Sequence, residues 1–101
     1  MNHIREGLAI LAERGWTQGT EEDGDGRVCM MDAVALSKFG QARVSVVSDV
    51  QAEFDVLRKV IDEQFPGIGV GVRGFNDLPG TTLSDVITIM DKGAVMWDEC
   101  V

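Results

Sequence analysis

The apolar residues of this chain recur mostly at the three- and four-residue intervals of an α-helix. Near the C-terminal end, this spacing predicts one buried stripe formed by Leu83, Val86, Ile87, Met90, Ala94 and Trp97. Thr82 and Asp85 have the spacing of a capping box, which predicts where this helix begins. Just upstream, residues 76–80 read Asn-Asp-Leu-Pro-Gly. This composition predicts a rigid turn, because Pro and Gly favour turns and Asn and Asp side chains bind the backbone.

Two earlier segments also have helical patterns. The first predicts a helix that ends at Gly15, with one apolar face formed by Ile4, Leu8, Leu11 and Ala12. The second, residues 28–39, is apolar on nearly every side, which is typical of a central helix surrounded by others. We therefore expect residues 28–39 to form the most buried element.

A third helix is predicted to begin at Ser48, with Gln51 in the capping-box position. Pro66 and Gly67 predict its end, because proline cannot continue a helix. Its buried face is predicted to contain Val50, Phe54, Leu57 and Ile61. Together with the segments above, it predicts about four helices around one core.

Residues 43–47 and 68–72 have weaker patterns that fit either short strands or extended connections. If both are strands, they would pair as a small two-stranded element. The predicted fold is mainly α: a compact bundle of about four helices in a single domain of residues 1–101, with that two-stranded element left open.

Charge narrows the classes of partner. The 101 residues include nine Lys and Arg against seventeen Asp and Glu, a net charge of −8. This charge repels phosphate backbones and anionic lipids, so we expect neither direct nucleic-acid binding nor membrane binding. The apolar runs are also too short for a membrane span, and charges near the N-terminus interrupt a signal-peptide core. Cys29 and Cys100 lack CxxC spacing, which favours reduced thiols in the cytoplasm over a bridge between them.

Gly69, Gly71 and Gly74 form a GxGxxG pattern. In dinucleotide-binding proteins this pattern follows a strand and opens a helix, whose N-terminus binds the pyrophosphate. Here Gly74 leads into Phe75 and the predicted turn. A glycine-rich loop is therefore favoured over a cofactor site.

Residues 21–32 follow the register of an EF-hand calcium loop. The candidate metal-binding carboxylates are Glu21, Asp23, Asp25 and Asp32. Two of them depart from the EF-hand pattern, with Glu in the first place and the shorter Asp in the last. An acidic surface turn before a helix N-terminus is the favoured interpretation. Calcium is the only cofactor that the sequence suggests, and only as an alternative.

Residues for acid–base or nucleophilic chemistry are few. His3 is the only histidine, it lies near the N-terminus where fraying is expected, and the chain has no tyrosine. Cys29 has apolar neighbours, which favours a buried core residue over a nucleophile. No catalytic residues can be assigned, and an enzyme that uses unplaced carboxylates stays an alternative.

Several of these segments together resemble a family of small proteins of unknown function encoded by actinobacteria and their phages. The matching residues are Trp16, Gln18 and Gly19, then Asp25, Gly26 and Cys29, then Phe75, Asn76, Asp77, Pro79 and Gly80 with the helix start at 82–86. The match is looser between residues 40 and 74, and Phe75 replaces the Trp usual in that pattern. The resemblance implies a compact, mainly helical fold and an actinobacterial or phage origin, but no activity.

The resemblance also implies that two loops meet over the core, one with Trp16 and Gln18 and the other with Phe75, Asn76 and Asp77. These five are the candidate binding residues. Amides beside aromatic rings can lock two loops together or contact a ligand, and locking is favoured. The preferred function is a small acidic protein-interaction module, such as a phage accessory protein that binds a host or phage protein in the host cytoplasm. Self-association is left open.

Overall fold

Helices dominate the protein. The computed structural model describes residues 2–19, 24–40 and 47–100. Over these ranges the chain forms five helices: α1 (His3–Arg14), α2 (Met30–Phe39), α3 (Val47–Gln64), α4 (Val72–Asp77) and α5 (Leu83–Cys100). The mainly helical prediction is confirmed. The count differs because α4 occupies part of the predicted turn.

Helix α2 is the most buried of the described helices. Its first six residues, Met30 to Ala35, are all buried, as expected for this segment. The helix begins two residues later than predicted, because Val28 forms an isolated parallel bridge with Trp16 and Cys29 caps the helix. Gly40 ends it in a left-handed conformation, with φ of 70°.

Helix α1 packs between α2 and α5. Its buried residues are Ile4, Gly7 and Leu11, whereas Leu8 is half-buried and Ala12 is exposed. The predicted apolar face was therefore partly wrong. Gly7 is buried because the backbone of α2 comes close to α1 at this position. Its burial could not be predicted from the apolar pattern, because glycine has no apolar side chain.

The N-terminus of α1 is fixed to α5 by polar contacts. The Asn2 side chain caps α1 by accepting from the Arg5 N–H at 3.0 Å, and donates to the Ala94 carbonyl at 2.8 Å. The Arg5 guanidinium lies 2.8 Å from an Asp98 carboxylate oxygen, and this hydrogen bond lowers the pKa of Asp98.

Helix α3 matches its predicted face: Val50, Phe54, Leu57 and Ile61 are all buried. It begins at Val47, so Ser48 lies in its first turn and not before it. Glu53 is also buried, and its carboxylate accepts from the Lys38 ammonium of α2 at 3.0 Å. A charged residue on a core-facing position was not predicted.

Helix α5 has the predicted capping box. The Asp85 N–H donates to Thr82 Oγ1 at 3.2 Å, and the Thr82 N–H donates to Asp85 Oδ2 at 3.0 Å. The predicted buried stripe was partly right, because Val86, Met90 and Ala94 are buried and Trp97 is half-buried. Ile89 is fully buried, whereas Leu83 and Ile87 are 39% and 41% exposed. The buried face of α5 includes Ile89 because both α1 and α3 pack against α5. The spacing of apolar residues does not show from which sides these two helices approach.

The capping box provides a first prediction. Thr82→Ala should lower the free energy of unfolding by about 1 kcal/mol, because the Asp85 N–H loses its partner. Urea unfolding monitored by Trp fluorescence measures this change. The control is Thr88→Ala, an exposed position inside α5 whose hydroxyl donates to the Ser84 carbonyl at 3.0 Å. Alanine favours a helix interior, so Thr88→Ala should be neutral or stabilising. Equal losses in both variants would contradict the capping role.

The glycine-rich segment before α4 is not a strand. Residues 68–71 have no regular structure, and Val72 is the first residue of α4. Gly71 caps that helix and Gly74 lies inside it, so the prediction that Gly74 leads into a turn was wrong. The other candidate strand, residues 43–47, lies outside the described residues except for Val47 in α3. None of the described helices has the length and apolarity needed to cross a bilayer.

Candidate functional site

Asn76, on the short helix α4, is a buried residue at the centre of a hydrogen-bond network. Its Oδ1 accepts from Trp16 Nε1 at 2.7 Å and from the Met30 N–H at 3.1 Å. Its Nδ2 donates to the Thr17 carbonyl at 3.2 Å and to Asp77 Oδ1 at 3.0 Å. A carboxamide oxygen accepts two hydrogen bonds and its NH₂ donates two. The side chain of Asn76 therefore uses its full hydrogen-bonding capacity inside the protein.

Gln18 and Asp77 extend the network along both segments. Gln18 Nε2 donates to the carbonyls of Asn76 at 3.0 Å and Leu78 at 2.8 Å. The Gly19 N–H donates to Asp77 Oδ1 at 2.9 Å. The two segments implied by the resemblance are thus in direct contact. We call Trp16, Gln18, Asn76 and Asp77 the polar latch.

The geometry of the polar latch favours locking over ligand binding. Asn76 is 1% exposed and has no spare hydrogen-bonding atom to offer a ligand. Phe75, the fifth candidate binding residue, contributes its ring to the core and not to the hydrogen bonds of the latch. It is buried and packs against Phe65, with ring centroids 5.3 Å apart and planes tilted by 40°.

Beside these rings lies an apolar pocket of about 250 Å³. This apolar pocket is lined by Phe65, Ile68, Phe75, Leu78, Gly80, Thr81 and Asp85. Ile68 is 37% exposed. This pocket could not be predicted from the sequence, because its residues come from separate segments. The available signal was the apolar pair Phe65 and Ile68 on either side of a Pro-Gly helix stop.

The polar latch holds one wall of the apolar pocket. Phe75 and Asn76 are neighbours on α4, and Gln18 binds the carbonyl of Leu78, a pocket residue. The Thr81 N–H in turn donates to that same carbonyl at 3.0 Å. The wall is thereby tied to the core through the latch.

A second hollow of about 280 Å³ lies on the outer side of α3. It is lined by Asp55, Val56, Arg58, Lys59, Asp62 and Met96. Four of these are exposed charged side chains. Its shape depends on flexible rotamers, so it is a weaker candidate site than the apolar pocket.

The calcium prediction concerns four carboxylates, of which Glu21 and Asp23 lie outside the described residues. Asp25 is 82% exposed in its side chain and lies 3.5 Å from Arg27. Asp32 is fully buried in the first turn of α2. In the part of the chain that the structure describes, no three His, Cys, Asp or Glu residues are grouped to hold an ion. The calcium loop stays a prediction.

Cys29 and His3 are in packed positions. Cys29 is a free, buried thiol, and burial raises its pKa to about 11. Its Sγ accepts from the Asp32 N–H at 3.4 Å, and its burial confirms Cys29 as a core residue. His3 was expected in a frayed terminus, but it lies in α1, with Nδ1 3.2 Å from Ser37 Oγ and 3.5 Å from a Glu6 oxygen.

The fold and site define a small helical protein in which a polar latch around the buried Asn76 supports an apolar pocket. The chain matches a family of unknown function, DUF6197, over residues 1–95, and it belongs to that family. The matched range contains every residue of the polar latch and of the apolar pocket. Comparison with curated proteins and with solved structures gave no match.

Proposed function

We propose that the protein is a small interaction module that receives an apolar side chain of a partner protein in the apolar pocket. The pocket itself carries this proposal. Its volume of about 250 Å³ suits one large side chain and is smaller than most drug-sized ligand sites. Its walls are mainly aromatic and aliphatic, as in the pockets that hold anchor residues at protein interfaces.

The preformed wall supports binding. A pocket already ordered in the free protein avoids the entropy cost of ordering its side chains on association. Here Gln18 of the polar latch binds the carbonyl of Leu78, and the rings of Phe65 and Phe75 pack against each other in the pocket lining. Ile68 lies between Gly67 and Gly69, whose positive φ angles of 87° and 61° set the path of this rim segment.

Catalysis has less support. Asp85 is the one ionisable side chain among the residues that line the apolar pocket, and it already serves the capping box. General acid–base chemistry uses groups that exchange protons within reach of a substrate, and no second such group lines this pocket. The Cys29 thiol is buried, and its raised pKa keeps it protonated at neutral pH.

The resemblance described above extends this proposal to a biological setting. We propose that the protein acts in the cytoplasm of an actinobacterial host, as a phage accessory protein that binds a host or phage protein. The net charge of −8 favours a partner with a basic surface through electrostatic steering. A second copy of the chain is the competing occupant of the pocket.

Ile68→Glu should reduce capture of the partner at least about tenfold, because a charge at the pocket rim opposes entry of an apolar side chain. The measurement is affinity capture by tagged protein from actinobacterial lysate, quantified by mass spectrometry. The matched control is Val95→Glu, a 47% exposed position on α5 that does not line the pocket. Melting temperatures confirm that both variants are folded.

The proposal requires the same protein to be captured by wild type and Val95→Glu and lost by Ile68→Glu. Equal capture by all three proteins, or equal loss in both variants, would contradict it. Size-exclusion chromatography of the purified protein tests the second copy. A dimer that dissociates in Ile68→Glu would identify self-association as the use of this pocket.

A further inference from the structure

We infer that the partner segment carries a cationic side chain close to its apolar anchor, and that Asp85 binds this cation. The inference rests on the proposed function and adds the chemistry of the partner. It starts from the position of one carboxylate in the wall of an otherwise uncharged pocket.

The orientation of Asp85 is fixed by the capping box. Oδ2 accepts from the Thr82 N–H at 3.0 Å, while the Asp85 N–H donates to Thr82 Oγ1 at 3.2 Å. Two carboxylate oxygens accept about four hydrogen bonds in all. Among the described contacts only Oδ2 has a partner, so Asp85 has capacity left for a donor from a ligand.

The negative charge of Asp85 favours a positively charged hydrogen-bond donor from the partner. A carboxylate held in place beside apolar walls binds a cation without first having to reorient, and partial desolvation strengthens that contact. The −8 net charge adds a field that attracts cations and repels anions. An acidic neighbour of the anchor would face Asp85 with a like charge. The site therefore fits an apolar residue accompanied by Lys or Arg, and it rejects one accompanied by Asp or Glu.

A displayed library of random dodecapeptides tests this specificity on the full chain. Selection on wild type should enrich peptides with a Leu, Ile, Met or Phe close in sequence to a Lys or Arg. Selection on Asp85→Asn should keep the apolar position and lose the basic one. The amide oxygen of Asn can still accept from the Thr82 N–H, so this variant changes the charge while keeping the cap.

Affinity measurements on one selected peptide make the comparison quantitative. Replacing its basic residue by Gln should weaken binding to wild type about tenfold, the size expected for a charge-assisted hydrogen bond. The same replacement should change binding to Asp85→Asn less than about twofold, because the coupling is then absent. Ile68→Ser, which removes the apolar rim without adding a charge that would attract the basic residue, should weaken binding of both peptides.

The outcomes separate this inference from the proposed function. Selected peptides that depend on Ile68 but lack a basic residue, or that keep it on Asp85→Asn, would overturn the role of Asp85 and leave the pocket's function intact. No selected peptide, or none whose binding depends on Ile68, would overturn both.

Discussion

Asn76→Ala should lower the free energy of unfolding by about 3 kcal/mol, because it leaves buried donors without acceptors. Asn76 makes four side-chain hydrogen bonds, and two of them satisfy Trp16 Nε1 and the Met30 N–H. If Asn76 only made the hydrogen bonds of an ordinary turn, Asn76→Ala would lower the free energy of unfolding by about 1 kcal/mol. The expected value for Asn76→Ala is higher because the Met30 N–H is buried and Trp16 is half-buried, so water reaches these two donors poorly.

Urea unfolding monitored by Trp fluorescence measures the loss, and Gln18→Ala is the control. Gln18 donates to two carbonyls of the same segment, but it is exposed, so those carbonyls can bind water after the substitution. We expect a loss of about 1 kcal/mol for Gln18→Ala. If Asn76→Ala left stability unchanged while partner capture disappeared, Asn76 would be a ligand-binding residue and not a lock.

Features that depend on a few neighbouring residues could be predicted from the sequence. The Thr82 and Asp85 spacing predicted the capping box, and Pro66 predicted the end of α3, because each depends on a few consecutive residues. The buried face of α3 was also correct, since four apolar residues on one side of a long helix leave little choice of orientation.

Features that depend on distant segments were harder to predict. Trp16 and Asn76 are 60 residues apart, and only the family resemblance suggested that they meet. Helix α4 is six residues long and contains a glycine, so its propensity is weak and its formation depends on burying Phe75 and Asn76. The apolar pocket combines residues after α3 with residues of α4 and α5, and no single segment has its pattern.

The packing of α1 on α2 provides the second large effect. Gly7→Val should lower the free energy of unfolding by about 3 kcal/mol, at the upper end of the usual range for overpacking. A Cβ at Gly7 would lie 3.1 Å from the backbone nitrogen of Val34 and 3.2 Å from the carbonyl carbon of Ala33. These are backbone atoms of the buried part of α2, so they cannot rotate away as a side chain can. The two methyl groups of Val must push the helices apart.

The control for Gly7→Val is Ala9→Val, an exposed position on the same helix. Both variants place a β-branched residue inside α1, and Ala9→Val should cost only its propensity difference, about 0.6 kcal/mol. Gly7→Ala should fall between them, because its gain in helix propensity offsets the tight contact. A Gly7→Val variant no less stable than Ala9→Val would show that α1 does not approach α2 this closely. The burial of Gly7 against α2 would then need another explanation, since a Cβ at Gly7 lies within 3.2 Å of backbone atoms in the buried half of α2.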